Sequence, residues 1–180
     1  VDSVKTANSE GKTGRDSARN TAPDPGCLLS VRDLHTSFDT YHGEARAVRG
    51  VSFDLDRGQV LGIVGETGSG KSVTALSLVR LVRPPGRLVR GTISFDGIDL
   101  AKSSEAELNS IRGRRISMIF QNPRAALNPL FTVGEQMYLV LDRHRPMPRR
   151  EREEFALEWL SKVGLNAPRR RLGQYPHELS

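Results

Sequence analysis

One stretch of eight residues has a spacing that points directly to a ligand. Residues 65–72 read Gly-Glu-Thr-Gly-Ser-Gly-Lys-Ser, which fits the phosphate-binding pattern G-x-x-x-x-G-K-[ST]. In such a loop the glycines allow positive φ angles and bring backbone N–H groups close to phosphate oxygens, where a Cβ would obstruct them. The pattern predicts that the chain binds a nucleoside triphosphate together with Mg²⁺.

The end of the loop supplies a charge and a hydroxyl. Lys71 can reach the β- and γ-phosphates as a point charge, and the Ser72 hydroxyl is placed to ligate Mg²⁺. The chain then enters a predicted helix whose first N–H groups are unpaired and whose dipole favours an anion. We therefore predict a catalytic role for Lys71 as well. The predicted nucleotide-binding residues are Gly65, Glu66, Thr67, Gly68, Ser69, Gly70, Lys71, Ser72 and Val73.

The neighbouring segments are those that a phosphate loop requires. Residues 59–64 predict a buried strand that enters the loop, and residues 71–79 are apolar at helical spacing. A strand, a loop and a helix in this order are the context that supports the pattern. A glycine-rich turn without a ligand is the alternative, and this context makes it the weaker interpretation.

Alternation of apolar and polar residues predicts further strands. Residues 28–34 and 47–55 are predicted to form an antiparallel β element that precedes the loop. Residues 91–100 predict a hairpin that turns at Asp96-Gly97. Residues 115–120 predict a second core strand.

The remaining segments are predicted to be helical. Ser103 or Ser104 is expected to cap a short helix that ends near residue 112. Thr132 is expected to cap a helix through residue 141. A further helix is predicted over 148–164, with proline in its first turn and Gly164 just past its end.

The net charge of +6 is concentrated in one part of the chain. Residues 142–172 hold nine Arg and Lys against five Asp and Glu. Phe155 and Trp159 are spaced i, i+4, as on a buried helix face, rather than interleaved with the cations as single-stranded nucleic acid requires. A solvated face, or a surface that meets another protein or anionic lipid, is favoured over a nucleic-acid contact.

Composition also limits the cellular compartments in which the protein is expected. Residues 1–26 are rich in small polar residues without a large apolar cluster, which predicts a disordered tail. Cys27 is the only cysteine, so an internal disulfide is impossible and a reducing compartment is favoured. No apolar run is long enough to cross a bilayer, and the N-terminus has no signal-peptide core. We expect a cytosolic protein or one peripheral to a membrane.

Three further segments, read with the phosphate loop, resemble one family. They are Met118-Ile119-Phe120-Gln121-Asn122-Pro123, the stretch from Ala126 to Gln136, and the last residues, Tyr175 to Ser180. With residues 65–72 as Walker A, these look like the Q-loop, the segment that follows it and the approach to the LSGGQ-type signature. The chain from about residue 28 onward resembles the ATP-binding subunits of ABC transporters, most closely the oligopeptide, dipeptide and nickel importer branch.

The resemblance implies roles for three more residues. Phe38 aligns with the aromatic residue that stacks on adenine, and Tyr41 is the nearby alternative. Gln121 would ligate Mg²⁺ or orient the attacking water, so it is a metal-binding and catalytic candidate. Ser180 would be the signature serine that closes over the γ-phosphate bound by the opposite subunit. The alternatives are a core phenylalanine, a polar strand cap and a surface serine, respectively.

The resemblance also implies a fold and its limits. We expect an α/β P-loop NTPase of the ABC ATPase type, with an ATP-binding core over 27–121 and a helical subdomain over 122–180. The rest of the signature, the Walker B carboxylates and the switch histidine would lie beyond residue 180. Because hydrolysis needs those groups as well as the phosphate cradle, we expect these 180 residues alone to hold ATP without turnover.

By the same resemblance, the full-length protein would be the energy-coupling ATPase of a peptide importer. It would pair with a second ABC ATPase subunit and with two transmembrane permease subunits, and indirectly with a solute-binding protein. It would lie at the cytoplasmic face of the plasma membrane without binding nucleic acid. An ABC-type ATPase that acts on nucleic acid and a truncated binding-only module are the alternatives.

Overall fold

The computed structural model describes residues 5–7 and 26–179. The chain divides into two compact units, residues 1–108 and residues 109–180. The predicted disordered tail over 1–26 falls almost wholly outside the described residues, apart from a short strand, β1 (Lys5–Ala7). The predicted domain boundary after residue 121 stays a prediction.

A four-stranded antiparallel sheet forms most of the first unit. Its order is β3-β2-β5-β6. The strands are β2 (Cys27–Thr40), β3 (Gly43–Asp56), β5 (Gly86–Phe95) and β6 (Ile98–Asp99). The predicted antiparallel element is confirmed, although both strands are longer than the alternation indicated. The predicted hairpin is also confirmed, since Asp96 and Gly97 both have positive φ and Phe95 pairs with Ile98.

The phosphate loop lies between a short strand and a helix of the same unit. It follows β4 (Gly62–Val64), which pairs antiparallel with β1, and precedes α1 (Lys71–Leu78). The predicted helix is therefore present, but the strand begins at residue 62 rather than 59. It is also not buried as predicted, since Val64 is 58% exposed and β4 pairs only with β1 among the described strands. The core under the sheet is apolar, with Val31, Leu34 and Ile93 fully buried.

The prediction of a core strand over 115–120 is wrong. Ile116 forms only an isolated bridge with Arg112, and the side chain of Ile119 is 92% exposed. A strand requires a neighbour that accepts its ladder hydrogen bonds, and in the described part of the chain no strand pairs with this segment. The apolar residues of this segment favour burial, but the local sequence does not indicate which strand would pair with it.

Helices dominate the second unit. They are α2 (Glu105–Ile111), which crosses the boundary between the units, α3 (Val133–His144), α4 (Arg149–Lys162) and α5 (Pro168–Leu172), with 3₁₀ turns over Pro123–Ala126 and Pro176–Glu178. Ala156, Leu160 and Leu172 form the buried core of α3, α4 and α5 together with partly buried Val133 and Met137. In the described ranges, none of the helices has the length and apolarity needed to cross a bilayer.

The predicted helix caps are confirmed. The Thr132 hydroxyl accepts from the Glu135 N–H, and the Glu135 carboxylate accepts from the Thr132 N–H, which is a complete capping box. Ser104, rather than Ser103, caps α2 through the same exchange with Glu107. Gly164 follows α4 with φ of +79°, as a residue just past a helix end should.

Candidate functional site

The loop between β4 and α1 has the backbone that its glycines predict. Gly68 and Gly70 have φ of +84° and +90°, a region that other residues rarely adopt. The Ser69 N–H donates to the Glu66 carbonyl at 3.2 Å, which closes the loop into a tight turn. All of Gly65 to Ser69 are exposed, so the loop is open to a ligand.

Gly70 fits against β3 as no other residue could. A Cβ at this position would lie 2.4 Å from the carbonyl oxygen of Ala47 and 3.8 Å from a methyl of Val48. Gly70 is also the N-cap of α1, and its carbonyl accepts the first helical hydrogen bond, from Thr74 at 2.8 Å. The glycine therefore joins the start of the helix to the sheet.

Lys71 directs its ammonium group back into the loop. Its Nζ donates to the carbonyl oxygens of Gly65 and Glu66 at 2.6 and 2.7 Å, and to the Ser69 hydroxyl at 3.3 Å. An ammonium group has three donors, and each one has an acceptor in the loop. The positive charge thus lies among the residues predicted to hold phosphate.

The first turn of α1 offers donors to an anion. The N–H groups of Lys71, Ser72 and Val73 precede the first intrahelical hydrogen bond, so the helix itself leaves them without a carbonyl partner. No acidic residue lies in this turn to satisfy them. The Ser72 side chain is exposed beside them, as a magnesium ligand bridging to a phosphate would need to be.

A shallow cavity of about 400 Å³ lies next to this loop. Phe38 on β2 lines it, together with residues of β3, namely Glu44, Ala45, Arg46, Ala47 and Arg49. Ala47 connects the cavity to the phosphate loop, since its carbonyl oxygen lies against Gly70. Tyr41, at the turn between β2 and β3, is fully exposed and does not line the cavity.

The cavity has a polar rim. Hydrogen bonds from Arg46 and then Ser37 lower the pKa of the Glu44 carboxyl, so this side chain carries a negative charge at neutral pH. Arg46 and Arg87 both bond to Glu44, at 3.2 and 3.3 Å. Phe38 provides the aromatic wall, and its ring packs so closely over Gly86 that a Cβ there would lie 2.5 Å from it.

The other two predicted site residues belong to the second unit. Gln121 is exposed, one residue before Asn122, whose side chain caps the turn over Pro123–Ala126. Ser180 lies outside the described residues. The structure therefore brings together Phe38 and the phosphate loop, while the roles of Gln121 and Ser180 stay predictions.

Comparison with known proteins decides the family. Residues 48–180, well over half of the chain, match the sequence model of the family described as ABC transporter. The chain belongs to the ABC transporter family. The resemblance found in the phosphate loop and the Gln121 segment is thereby confirmed.

Curated relatives of this ABC protein are named as peptide transporters. It is 48% identical to the oligopeptide transport ATP-binding protein OppD of Bacillus subtilis and 49% identical to the dipeptide transport ATP-binding protein DppD of the same organism, each over 154 residues. Both alignments cover 85% of this chain, but only 43% and 46% of the two relatives. This chain spans less than half the length of either protein.

A solved structure confirms the fold of this ABC protein. The dimeric structure of the ATP-binding cassette MJ0796, in a post-hydrolysis state bound to ADP and Pi, superimposes with a TM-score of 0.72 at 26% identity. The superposition covers 85% of this chain and 63% of that one. The predicted α/β P-loop NTPase fold of the ABC ATPase type is correct.

One contact near the site was not predicted. The hydroxyls of Thr36 on β2 and Ser77 on α1 form a buried hydrogen bond. Sequence offered one weak signal, a polar residue on the apolar face of each element, and the pairing itself depends on how the strand and the helix pack.

Proposed function

We propose that the full-length protein hydrolyses MgATP to ADP and inorganic phosphate, and that this drives solute import. The observation that carries the proposal is the Lys71 ammonium, held by three oxygens of a loop that opens onto the donor end of α1. A cationic side chain and unpaired N–H groups facing one opening suit the triphosphate of a nucleotide.

The residues present fit both the nucleotide and its metal. Phosphate oxygens would accept from N–H groups of the loop and the first turn of α1 and from the Lys71 ammonium, which would release a loop oxygen to do so. Ser72 would ligate Mg²⁺, and the metal role of Gln121 stays a prediction. Magnesium supplies charge neutralisation on the transferred phosphoryl group, and it is commonly held by few protein ligands besides substrate phosphates. The adenine would lie in the cavity beside Phe38, whose ring can stack on it without hydrogen-bond readout.

Peptides are the proposed class of transported solute. The support comes from the relatives, whose names specify oligopeptide or dipeptide transport at 48% and 49% identity. As an ATPase of this kind the protein would act in a dimer, as the cassette MJ0796 does in its dimeric structure. It would lie at the cytoplasmic face of the plasma membrane, held there by its permease subunits, which receive solute from a binding protein.

An ordered apolar loop supports contact with a permease. The Gln136 side chain accepts from the Asn128 N–H at 2.9 Å and donates to the carbonyls of Asn128 and Phe131, both at 3.0 Å. These bonds fix a loop that exposes Leu130, at 80%, and Phe131, at 41%. Exposed apolar side chains on a fixed loop are typical of a protein contact surface.

Nucleic acid is the weaker candidate because much of the basic stretch is already paired. Arg152 bonds both oxygens of Asp142 at 2.6 Å. The other ion pairs are Arg150 with Glu154, Lys162 with Glu158 and Arg169 with Glu153. These cations are less available for phosphate contacts, so the structure adds no support for a nucleic-acid surface.

The test compares two lysine variants of the full-length protein assembled with its permeases. We expect Lys71→Ala to abolish ATPase activity and peptide uptake. Lys102→Ala is the control, because this lysine makes only an exposed ion pair with Asp99. Wild-type hydrolysis and uptake by Lys71→Ala would exclude the proposed function.

A further inference from the structure

Arg124 links the segment after Gln121 to the end of the described chain. Its Nη2 donates to the carbonyl oxygen of Leu179 at 3.2 Å. Arg124 lies three positions after Gln121, and Leu179 is directly followed by Ser180 in the sequence. The hydrogen bond therefore spans two segments that are far apart in the sequence and that both carry a predicted site residue.

The Arg124 end of this link is a closed turn. The Asn122 side chain accepts from the Ala125 N–H at 3.3 Å, and the Leu127 N–H donates to the Arg124 carbonyl at 3.2 Å. Asn122 directly follows Gln121. The backbone that carries the guanidinium is thus fixed one residue away from the predicted metal and water ligand.

The Leu179 end is fixed to α3. The Val133 N–H, in the first turn of α3, donates to the Gln174 carbonyl at 2.9 Å. The Glu178 carboxylate accepts from the Tyr175 N–H at 2.7 Å, and this bond closes the turn that leads to Leu179. Pro176 within the turn is buried. The segment 174–179 is therefore a compact unit, and Arg124 bonds its last carbonyl.

We propose that Arg124 is a positioning residue. It keeps residues 121–127 and residues 174–179 in a fixed mutual arrangement during hydrolysis. The inference rests on the proposed function, in which Gln121 orients water or metal in one subunit and Ser180 closes on the nucleotide of the other. Because the guanidinium belongs to one segment and its acceptor to the other, the two segments move together. The bond needs only one N–H donor, so a lysine can partly replace it.

The role predicts an effect on turnover rather than on nucleotide binding. The phosphate loop and the Phe38 cavity belong to the first unit, whereas the Arg124–Leu179 hydrogen bond lies within the second. Loss of the Arg124–Leu179 hydrogen bond should lower kcat about 5- to 10-fold, because the bond would stabilise the arrangement in which hydrolysis occurs. KM for ATP should stay within about twofold of the wild-type value. Because a loss of folded protein also lowers apparent kcat at unchanged KM, the rates are divided by the concentration of ATP-binding sites titrated in each preparation.

The experiment uses three variants of the full-length transporter complex. Arg124→Met keeps the length of the side chain and removes its donors, Arg124→Lys keeps one donor group, and Arg143→Met is the control. Arg143 is an exposed arginine of α3 whose side chain makes no hydrogen bond or ion pair with the described residues. We expect the loss of kcat in Arg124→Met, at least half of the wild-type kcat in Arg124→Lys, and wild-type kinetics in Arg143→Met.

Amide hydrogen exchange tests the link independently of activity, through the Glu178 and Leu179 N–H groups, which donate to the Tyr175 and Pro176 carbonyls and are protected only while that turn is ordered. In folded Arg124→Met, the peptide that ends at Leu179 should exchange faster than in the wild type, and in Arg143→Met it should not. Wild-type kcat in Arg124→Met, an equal loss in Arg143→Met, or a raised KM at unchanged kcat would each overturn the proposal. Hydrolysis that survives Lys71→Ala would overturn the proposed function instead, so the two failures are distinguishable.

Discussion

The hydroxyl oxygens of Thr36 and Ser77 lie 2.8 Å apart, and both side chains are buried. The Ser77 hydroxyl also donates to the Val73 carbonyl at 2.7 Å. Because a serine has one hydroxyl proton, Thr36 must be the donor between the two side chains. This hydrogen bond ties β2 to the helix that begins at the phosphate loop.

Removing the Thr36 hydroxyl should weaken the fold. Thr36→Val keeps the shape of the side chain, so we expect a loss of about 1–2 kcal/mol in the free energy of unfolding. Ser77→Ala should cost a similar amount, since it leaves the Thr36 donor buried without a partner. The double variant should cost clearly less than the sum of the two, as measured by denaturant unfolding of the full-length protein. Strict additivity would show that the two hydroxyls do not interact.

Two glycines of the phosphate loop should differ in their tolerance of alanine. Gly70→Ala places a Cβ 2.4 Å from the Ala47 carbonyl oxygen, whereas a Cβ at Gly68 would meet nothing within 4 Å. Both have positive φ, so the backbone strain of about 1–2 kcal/mol is common to them. We expect Gly70→Ala to lose substantially more ATP affinity in equilibrium binding than Gly68→Ala. Equal losses would mean that the contact with Ala47 is unimportant.

The ring of Phe38 should contribute to ATP affinity and that of Tyr41 should not. Base stacking is worth about 1–3 kcal/mol, so Phe38→Ala should weaken ATP binding roughly tenfold. Phe38→Tyr retains the ring and should bind nearly as well as the wild type. Tyr41→Ala is the matched control, because Tyr41 is exposed and away from the cavity. A larger effect at Tyr41 than at Phe38 would reverse the assignment.

The cap of α3 should make stability depend on acid pH. Hydrogen bonds from the backbone and then the side chain of Thr132 lower the pKa of the Glu135 carboxyl. A pKa lowered by folding stabilises the protein above the unfolded value of about 4.3, and this contribution is lost as pH falls through the folded value. We expect Glu135→Gln to be less stable than the wild type at pH 7, with the difference shrinking below about pH 4.

The control for this pH dependence is Glu151→Gln in α4. The Glu151 side chain makes no hydrogen bond or ion pair with the described residues, but like Glu135 it lies in the first turn of its helix. It therefore controls for the loss of a helix-dipole interaction, and Glu151→Gln should destabilise the protein less at pH 7 than Glu135→Gln does. Thermal unfolding at pH 7 and at pH 3 would compare the three proteins. A constant difference between Glu135→Gln and the wild type at both pH values would contradict the assigned role of the carboxylate.

Features set by neighbouring residues could be predicted from the sequence. The phosphate loop, the turn at Asp96-Gly97 and the caps at Ser104 and Thr132 are of this kind, and the structure has each of them. A turn residue or a cap acts on groups a few positions away, so its chemistry can be read locally.

Features that depend on distant segments could not be predicted in the same way. The full lengths of β2 and β3 follow from their pairing with each other and with β5, and residues 115–120 have no strand beside them in the described structure. The Thr36–Ser77 bond joins residues 41 positions apart. Local periodicity carries no information about which elements become neighbours.

The bonds of the Lys71 ammonium have a consequence for the Lys71→Ala variant. Its contacts with the carbonyls of Gly65 and Glu66 bridge the loop from inside. Lys71→Ala therefore removes two hydrogen bonds within the loop along with a phosphate ligand. The carbonyls of Gly65 and Glu66 both lose their donor. In the folded protein this loop should accordingly be conformationally looser with alanine than with lysine even when no nucleotide is added.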